Sequence, residues 1–439
     1  MSFQAFPRHL ALLAMAAALA ACGGSGSSAS GTPADTTAGT FIDTAPDTTA
    51  SIALDGLPRV ATLPGGAALK GMSDALIVGD HIVMRSLSDS SITVNGKQVY
   101  ARTRLSVMGK DGTLLSSTDY GFTLAAGYTG EWVMLPSPDG FVMVQSGTGT
   151  KLLHFDAQAK RVGDAIDLYP PVAATSTTEL APAEGSAAVD GNGFWHVATF
   201  SLLPITDKTQ YQLKLCKFDF NGRQLTPPFE ISTSALHPHV AATGGAVLTT
   251  WLEGGGAMVG MWPKGLGAPV LRSLGTGGAR PYAVALDDNG KLGVIWNGKA
   301  TLSSPGGVMG VALDKNGVAV LPVGRTDLGQ ETLSSKWAGT SRAPEIDARL
   351  YKGSLLLADV VVGSYNPGDP VGDVLVVADY GVGTAAQSAQ KSAILRIKLF
   401  GPGSEIGNTP VLRQMVFGDH AVLLIGDENH LNIQQLTRK

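Results

Sequence analysis

One phrase recurs seven times between residues 51 and 439: a turn of Gly, Asp, Asn or Lys, then an apolar run rich in β-forming residues. The places are Gly79-Asp80 before His81-Ile82-Val83-Met84; Asp139-Gly140 before Phe141-Val142-Met143-Val144; and Asp190-Gly191-Asn192-Gly193 before Phe194-Trp195-His196-Val197. They continue with Gly244-Gly245 before Ala246-Val247-Leu248; Asp288-Asn289-Gly290 before Lys291-Leu292-Gly293-Val294; Lys352-Gly353 before Ser354-Leu355-Leu356; and Gly418-Asp419 before His420-Ala421-Val422. Gly, Asn and Asp accept the positive φ of a tight hairpin turn, and the runs between them have the length and composition of strands. A chain interrupted this often folds as many short strands joined by tight turns. The frequent Gly (56 residues) and the low share of charge (15%) agree with that.

The second half of each unit repeats as well. Residues 104–117, 151–168, 214–231, 259–274, 309–324 and 395–412 read as strand–turn–strand hairpins, most with Asp-Gly, Asn-Gly or Gly-Pro-Gly at the tip. Four strands per unit in fixed order, at intervals of about 45 to 65 residues, resembles the blades of a β-propeller. The Gly-His and Trp-Asp signatures of WD repeats are absent, so the resemblance is to the architecture and not to a particular family. It implies an all-β, seven-bladed β-propeller over residues 51–439, with six blades the alternative if the weak first unit is irregular. The last unit, Met415 to Lys439, ends after about three strands. Leu57 to Leu63 is expected to supply its outer strand and leave no open edge. Two units carry insertions. Ile92 to Val99 reads as an extra hairpin on an Asn95-Gly96 turn, and residues 364–392 as a Pro/Gly turn, an extra strand and a Ser/Ala/Gln loop. Residues 330–342, with Trp337, are a further loop of interest.

Residues 1–21 form a different segment. Arg8 and His9 precede an uncharged apolar run from Leu10 to Ala21, the length of a signal-peptide core and too short to span a bilayer. The run ends Leu19-Ala20-Ala21-Cys22, which resembles the lipobox of bacterial lipoproteins. That resemblance covers these 22 residues and implies cleavage before Cys22 and a lipid on its thiol. Gly23 follows where Asp would favour inner-membrane retention, so the resemblance implies an envelope protein held at the outer membrane by its N-terminal lipid. Residues 22–50, almost all Gly, Ser, Ala, Thr, Pro and Asp, are expected to be a disordered tether with a reach of roughly 30 Å.

Removing the leader takes away one Arg and no acid, and moves the net charge from −4 to about −5. No basic run supports nucleic-acid binding. Apart from Cys22 the only cysteine is Cys216, so no disulfide is available to the body. Cys216 alternates with Lys214 and Phe218 against Leu215 and reads as a small, partly buried strand residue. Trp195, Trp251 and Trp296 fall in the second strands of successive units and are expected to pack between blades. The turns at Asp190 and Asp287 lack the Asp/Asn spacing of a calcium loop and read as hairpin turns. No nucleophile elbow or phosphate loop is present.

One set of polar residues converges. Aligning three units on the proline before the first strand places Leu236-His237-Pro238-His239, Ala279-Arg280-Pro281-Tyr282 and Ala343-Pro344-Glu345 in equivalent positions. In a propeller these segments lead into the innermost strands. His237, His239, Arg280, Tyr282, Arg342 and Glu345 are therefore the candidate ligand-binding residues, ringing one pocket. His237 and His239, two apart, would share one strand face and grip a metal if extended, but no third ligand is evident, and neither a metal nor a cofactor is expected. The function expected is a monomeric binding or scaffold lipoprotein whose partner is an envelope protein or a glycan. The alternative is a propeller hydrolase or lyase acting on a sugar or lactone at the channel.

Overall fold

In the computed structural model, side chains are described at residues 74–85, 103–109, 113–120, 132–146, 150–170, 172, 180–201, 211–262 and 267–273. Elsewhere only the backbone of the strands named below is described. The leader, Cys22 and the tether lie outside these residues, as do residues 330–339. Among the described residues no helix is long and apolar enough to cross a membrane.

The described strands are all antiparallel and group into sheets of four, two of them gaining a fifth. β1 (Ile52–Leu54) and β2 (Arg59–Thr62) belong to the last sheet. The first complete sheet is β3 (Asp74–Val78), β4 (His81–Val94), β5 (Lys97–Gly109) and β6 (Leu114–Tyr120). The second is β7 (Trp132–Ser137), β8 (Gly140–Gln145), β9 (Lys151–Phe155) and β10 (Arg161–Asp167). The third is β11 (Leu180–Asp190), β12 (Gly193–Leu202), β13 (Tyr211–Asp219) and β14 (Phe229–Ser232). The fourth is β15 (Leu236–Thr243), β16 (Ala246–Glu253), β17 (Gly256–Trp262) and β18 (Val270–Thr276). The fifth is β19 (Arg280–Leu286), β20 (Leu292–Asn297), β21 (Val308–Leu313) and β22 (Gly324–Arg325). The sixth is β23 (Thr340–Ser341), β24 (Asp347–Tyr351), β25 (Ser354–Ser364), β26 (Val371–Gly381) and β27 (Lys391–Lys398). β28 (Val411–Phe417), β29 (His420–Gly426) and β30 (His430–Arg438) complete the last.

Each recurring turn segment found in the sequence falls between two strands that pair with each other, as in Asp190↔Gly193 and Thr243↔Ala246. The inner strands touch in a closed order: β3, β7, β11, β15, β19, β24, β28 and back to β3. The closing strand is also where the sequence placed it. β2 pairs with β30 from Arg59↔Ile433 to Thr62↔His430, and β1 continues along the same partner from Ile52↔Arg438 to Leu54↔Leu436.

Two expectations need correction. The Asn95-Gly96 hairpin is not a separate insertion: β4 and β5 stay paired, through one register shift between Ser88 and Ser91, as far as Val94↔Lys97, so the sheet's own central hairpin is prolonged. In the sixth sheet Val371–Gly381 is the ordinary third strand and Lys391–Lys398 the fourth, so the segment at 395–412 is not a third-to-fourth hairpin. The added strand there is β23, which pairs with the far end of β25 beyond β24. Both errors came from counting strands by turn residues, which cannot tell a long strand from two short ones.

Apolar burial explains the continuous hydrophobic runs. Phe141, Met143, Leu153 and Phe155 pack toward the first complete sheet, while Val142, Val144 and Leu152, alternating with them, pack toward the third. A strand with a neighbour on each face has no solvent side, so both parities are apolar. Trp195 and Trp251 lie in one cluster with Leu213, Leu215, Val247 and Trp262, between the third and fourth sheets, where inter-blade packing was expected. Trp296 lies outside the residues whose side chains are described.

Candidate functional site

Three first strands share an irregularity. The pairing of β11 with β12 shifts between Pro182 and Glu184, that of β15 with β16 between Leu236 and His239, and that of β19 with β20 between Pro281 and Ala283. Each shift contains or adjoins a proline: Pro182, Pro238, Pro281. Proline has no N–H to give to a ladder, so a bulge, where a residue is left out of pairing, accommodates it. In the sixth sheet β23 and β24 pair with β25 one after the other, and Pro344 falls between them in sequence. The prolines that align in the sequence therefore mark interruptions of the inner strands, and Pro182 joins them.

At the bulge of β15 the backbone of His237 is left-handed, with φ of 54°. A residue with a Cβ occupies that region at a cost of about 1–2 kcal/mol and needs support from its surroundings. Glu184, on the bulge of neighbouring β11, supplies it. One carboxylate oxygen accepts the His237 backbone N–H at 3.0 Å and the other meets the ring Nδ1. Both side chains are partly exposed, His237 at 30% and Glu184 at 21%. A carboxylate on Nδ1 fixes the ring's orientation. Glu184 was missed in the sequence. The signal was present, because Pro182-Ala183-Glu184 repeats the proline-then-polar pattern of the other segments.

The backbone at His237 is thus not the extended one on which the expected His237–His239 face was argued. His239 is paired in register opposite Thr250, beyond the bulge. Among the described residues no group of three His, Cys, Asp or Glu side chains has the arrangement of a metal site. Arg280 opens β19 opposite Asn297, and Tyr282 is the residue left out of pairing at that bulge. Their side chains, and Arg342 and Glu345 entirely, lie outside the described residues.

Two buried polar nodes stand elsewhere. His196 on β12 is fully buried; its Nε2 is 3.1 Å from Ser146 Oγ and its Nδ1 is 2.8 Å from Tyr169 Oη. Burial lowers its pKa to about 3, so the ring is neutral. Burial likewise pushes the Tyr169 hydroxyl well above its ordinary range. Gly185 covers the node, and a Cβ there would come within 2.8 Å of Ser146 Oγ and 2.9 Å of His196 Nε2. Despite its Ser–His contact, this node is sealed from solvent and binds the second sheet to the third. The other node is Asp190, which ends β11. Its carboxylate accepts from Trp195 Nε1 (3.1 Å), Lys217 Nζ (2.9 Å) and the Gly245 N–H (3.1 Å) of the next sheet. Burial acts to raise its pKa, but Lys217 and the two N–H donors outweigh that and the net shift is downward. The turn after it is a hairpin turn with Gly191 at φ 63°, as read from the sequence. Cys216 is fully buried rather than partly so, with its thiol toward the Thr226 carbonyl oxygen at 3.1 Å. Burial raises that thiol to about 11, which removes thiolate chemistry.

The fold thus defines an all-β protein of four-stranded antiparallel sheets, with register shifts in the first strands of three of them. No family model matches the chain, and no curated protein matches it. Among solved structures it is similar to polysaccharide lyase Uly1, at 8% identity and TM-score 0.47, over 86% of this chain and 91% of that one. It is also similar to the β-propeller domain of the Trilobed protease from Pyrococcus furiosus, described as having an open velcro topology: 9% identity, TM-score 0.40, 82% of this chain and 92% of that one. A Synechocystis apocarotenoid oxygenase is similar at 10% identity and TM-score 0.42, over 85% and 89% of the two chains.

Proposed function

We propose that the chain is an envelope lipoprotein whose seven-bladed β-propeller, tethered to the outer membrane by lipid on Cys22, is a binding module for an envelope protein or a glycan. The closed order of contacts among the inner strands supports the ring. The observation that carries the binding role is the inner rim. Consecutive first strands are bulged at proline, and a strained, partly exposed His237 is held there by Glu184 from the next sheet. Bulges and strained backbone gather where side chains are aimed for recognition. The candidate residues His239, Arg280, Tyr282, Arg342 and Glu345 belong to the same stretch of rim in this reading.

The test is a pull-down of the lipidated protein from membranes, against a Cys22→Ala form and a Glu184→Ala/His237→Ala form. Co-purification of one envelope component with the parent and its loss from the rim variant is the expected result. Equal recovery from all three would refute the rim as the binding surface. A second reading, a hydrolase or lyase acting on a sugar or lactone, has one observation in its favour. A histidine oriented by a carboxylate is the pairing that general acid–base chemistry uses. Turnover of a glycan or lactone that is lost in His237→Ala would favour it over the binding module.

A further inference from the structure

The exposed large apolar side chains among the described residues are Leu115 (53%), Val162 (53%), Leu225 (37%) and Leu271 (48%). All four lie between the third strand of their sheet and the end of its fourth, in four consecutive sheets. Three are at an equivalent position. Each third-to-fourth turn is closed by the same backbone bond, Gly109 N–H to Thr113 O, Asp156 N–H to Lys160 O and Asp219 N–H to Arg223 O, all 2.9 Å. Leu115, Val162 and Leu225 each stand two residues beyond the closing residue. Single exposed hydrophobics are ordinary, but recurrence at one register position is not scatter. In a ring of sheets, equivalent positions lie at one level, so these residues form a belt on the outer edge.

Basic residues accompany the belt. Lys160 and Arg161 precede Val162, Arg223 stands two before Leu225, Arg272 follows Leu271, and Lys110 is five before Leu115 in the sequence. Arg223 is 78% exposed, and its Nε donates to Asp219 Oδ2 at 3.1 Å, so it meets a headgroup as one side of a surface ion pair. The aspartates at two of these turns are occupied in closing them. Asp156 Oδ1 accepts the N–H groups of Gln158 and Lys160, and Asp219 Oδ1 those of Asn221 and Arg223. Paired apolar and basic groups repeated along one surface match an interface between acyl chains and anionic headgroups.

We infer that this belt rests on an anionic lipid surface, so that the disc lies against the membrane to which it is tethered. The inference rests on the ring and on the lipid tether of the proposed function, and goes beyond the rim-binding reading. The belt lies beside the third-to-fourth turns, while the bulges of β11 and β15 lie toward the opposite ends of their strands, away from the Asp190–Gly193 and Thr243–Ala246 turns. Contact through the belt would leave the rim site facing outward.

The experiment uses the mature chain carrying Cys22→Ser, so that no lipid contributes. Co-sedimentation is measured with vesicles of phosphatidylcholine alone and of phosphatidylcholine with phosphatidylglycerol. The parent is expected to bind the anionic vesicles and to release at high salt. Two variants should each bind at least about tenfold more weakly with an unchanged melting temperature: Leu115→Ser/Val162→Ser/Leu225→Ser/Leu271→Ser and Lys160→Glu/Arg223→Glu/Arg272→Glu. Glu184→Ala/His237→Ala should bind vesicles as the parent does, which separates the belt from the rim. A parent that binds neither vesicle, or variants that bind as well as the parent, would overturn the inference. So would a belt variant that keeps its vesicle binding and loses an envelope protein instead.

Discussion

His196 makes a quantitative prediction about acid stability. Its ring is buried between two hydroxyls and has a pKa of about 3, against 6.5 for an ordinary histidine. The folded state therefore keeps the ring neutral, while the unfolded chain takes up a proton as pH falls below 6.5. A depressed histidine pKa gives stability that is full above the unfolded value and is lost as pH falls toward the folded one. The loss is about 1.4 kcal/mol per pH unit once well below 6.5, and about 2 kcal/mol between pH 7.5 and 5. Asp190 does not blur this window, because its lowered pKa makes it acid-sensitive only below about 3.8. The perturbation is His196→Gln, an amide that does not titrate. Urea unfolding of both forms at pH 7.5 and pH 5 is the assay. The variant starts less stable, since it disturbs a buried hydrogen-bonded node, but its stability should fall by about 2 kcal/mol less than the parent's across that range. Equal slopes for parent and variant would refute the assignment of a neutral, sealed His196.

Other substitutions test other parts of the fold by thermal or chemical unfolding. Asp190→Ala strands the Lys217 ammonium and the Trp195 indole in a buried node between two sheets and should cost about 3–5 kcal/mol. Gly193→Ala drives a Cβ into the Phe218 carbonyl oxygen on the facing strand and should destabilise by at least ~2 kcal/mol, or prevent folding. Ala159 has φ 58° at the turn position where the next sheet has Gly222 at φ 79°, so Ala159→Gly should stabilise by ~0.5–1 kcal/mol. No change, or a loss, would mean that the packing of the Ala159 methyl outweighs its backbone strain.

The sequence by itself determined the strands and their order. Positive-φ turn residues at Gly79, Gly191 and Gly244 fixed where each first strand reverses, and two-sided apolar runs such as Phe141 to Val144 fixed which strands are covered on both faces. These are local or near-local constraints, and a single chain carries them openly. The closing strand was legible for a related reason, because an incomplete last unit and an orphan strand near the start match each other. Strand lengths were not legible where a register shift replaced a turn, as in β4 and β5. The site was half legible. Prolines marked the bulges, but the partner of His237 is Glu184, 53 residues earlier. Only the packing of one first strand against the next brings them together, and only the folded backbone shows the left-handed conformation at His237. The Ser146–His196–Tyr169 node was invisible for the same reason. Its members come from two sheets, and nothing local in the sequence records which buried hydroxyls will meet a buried ring.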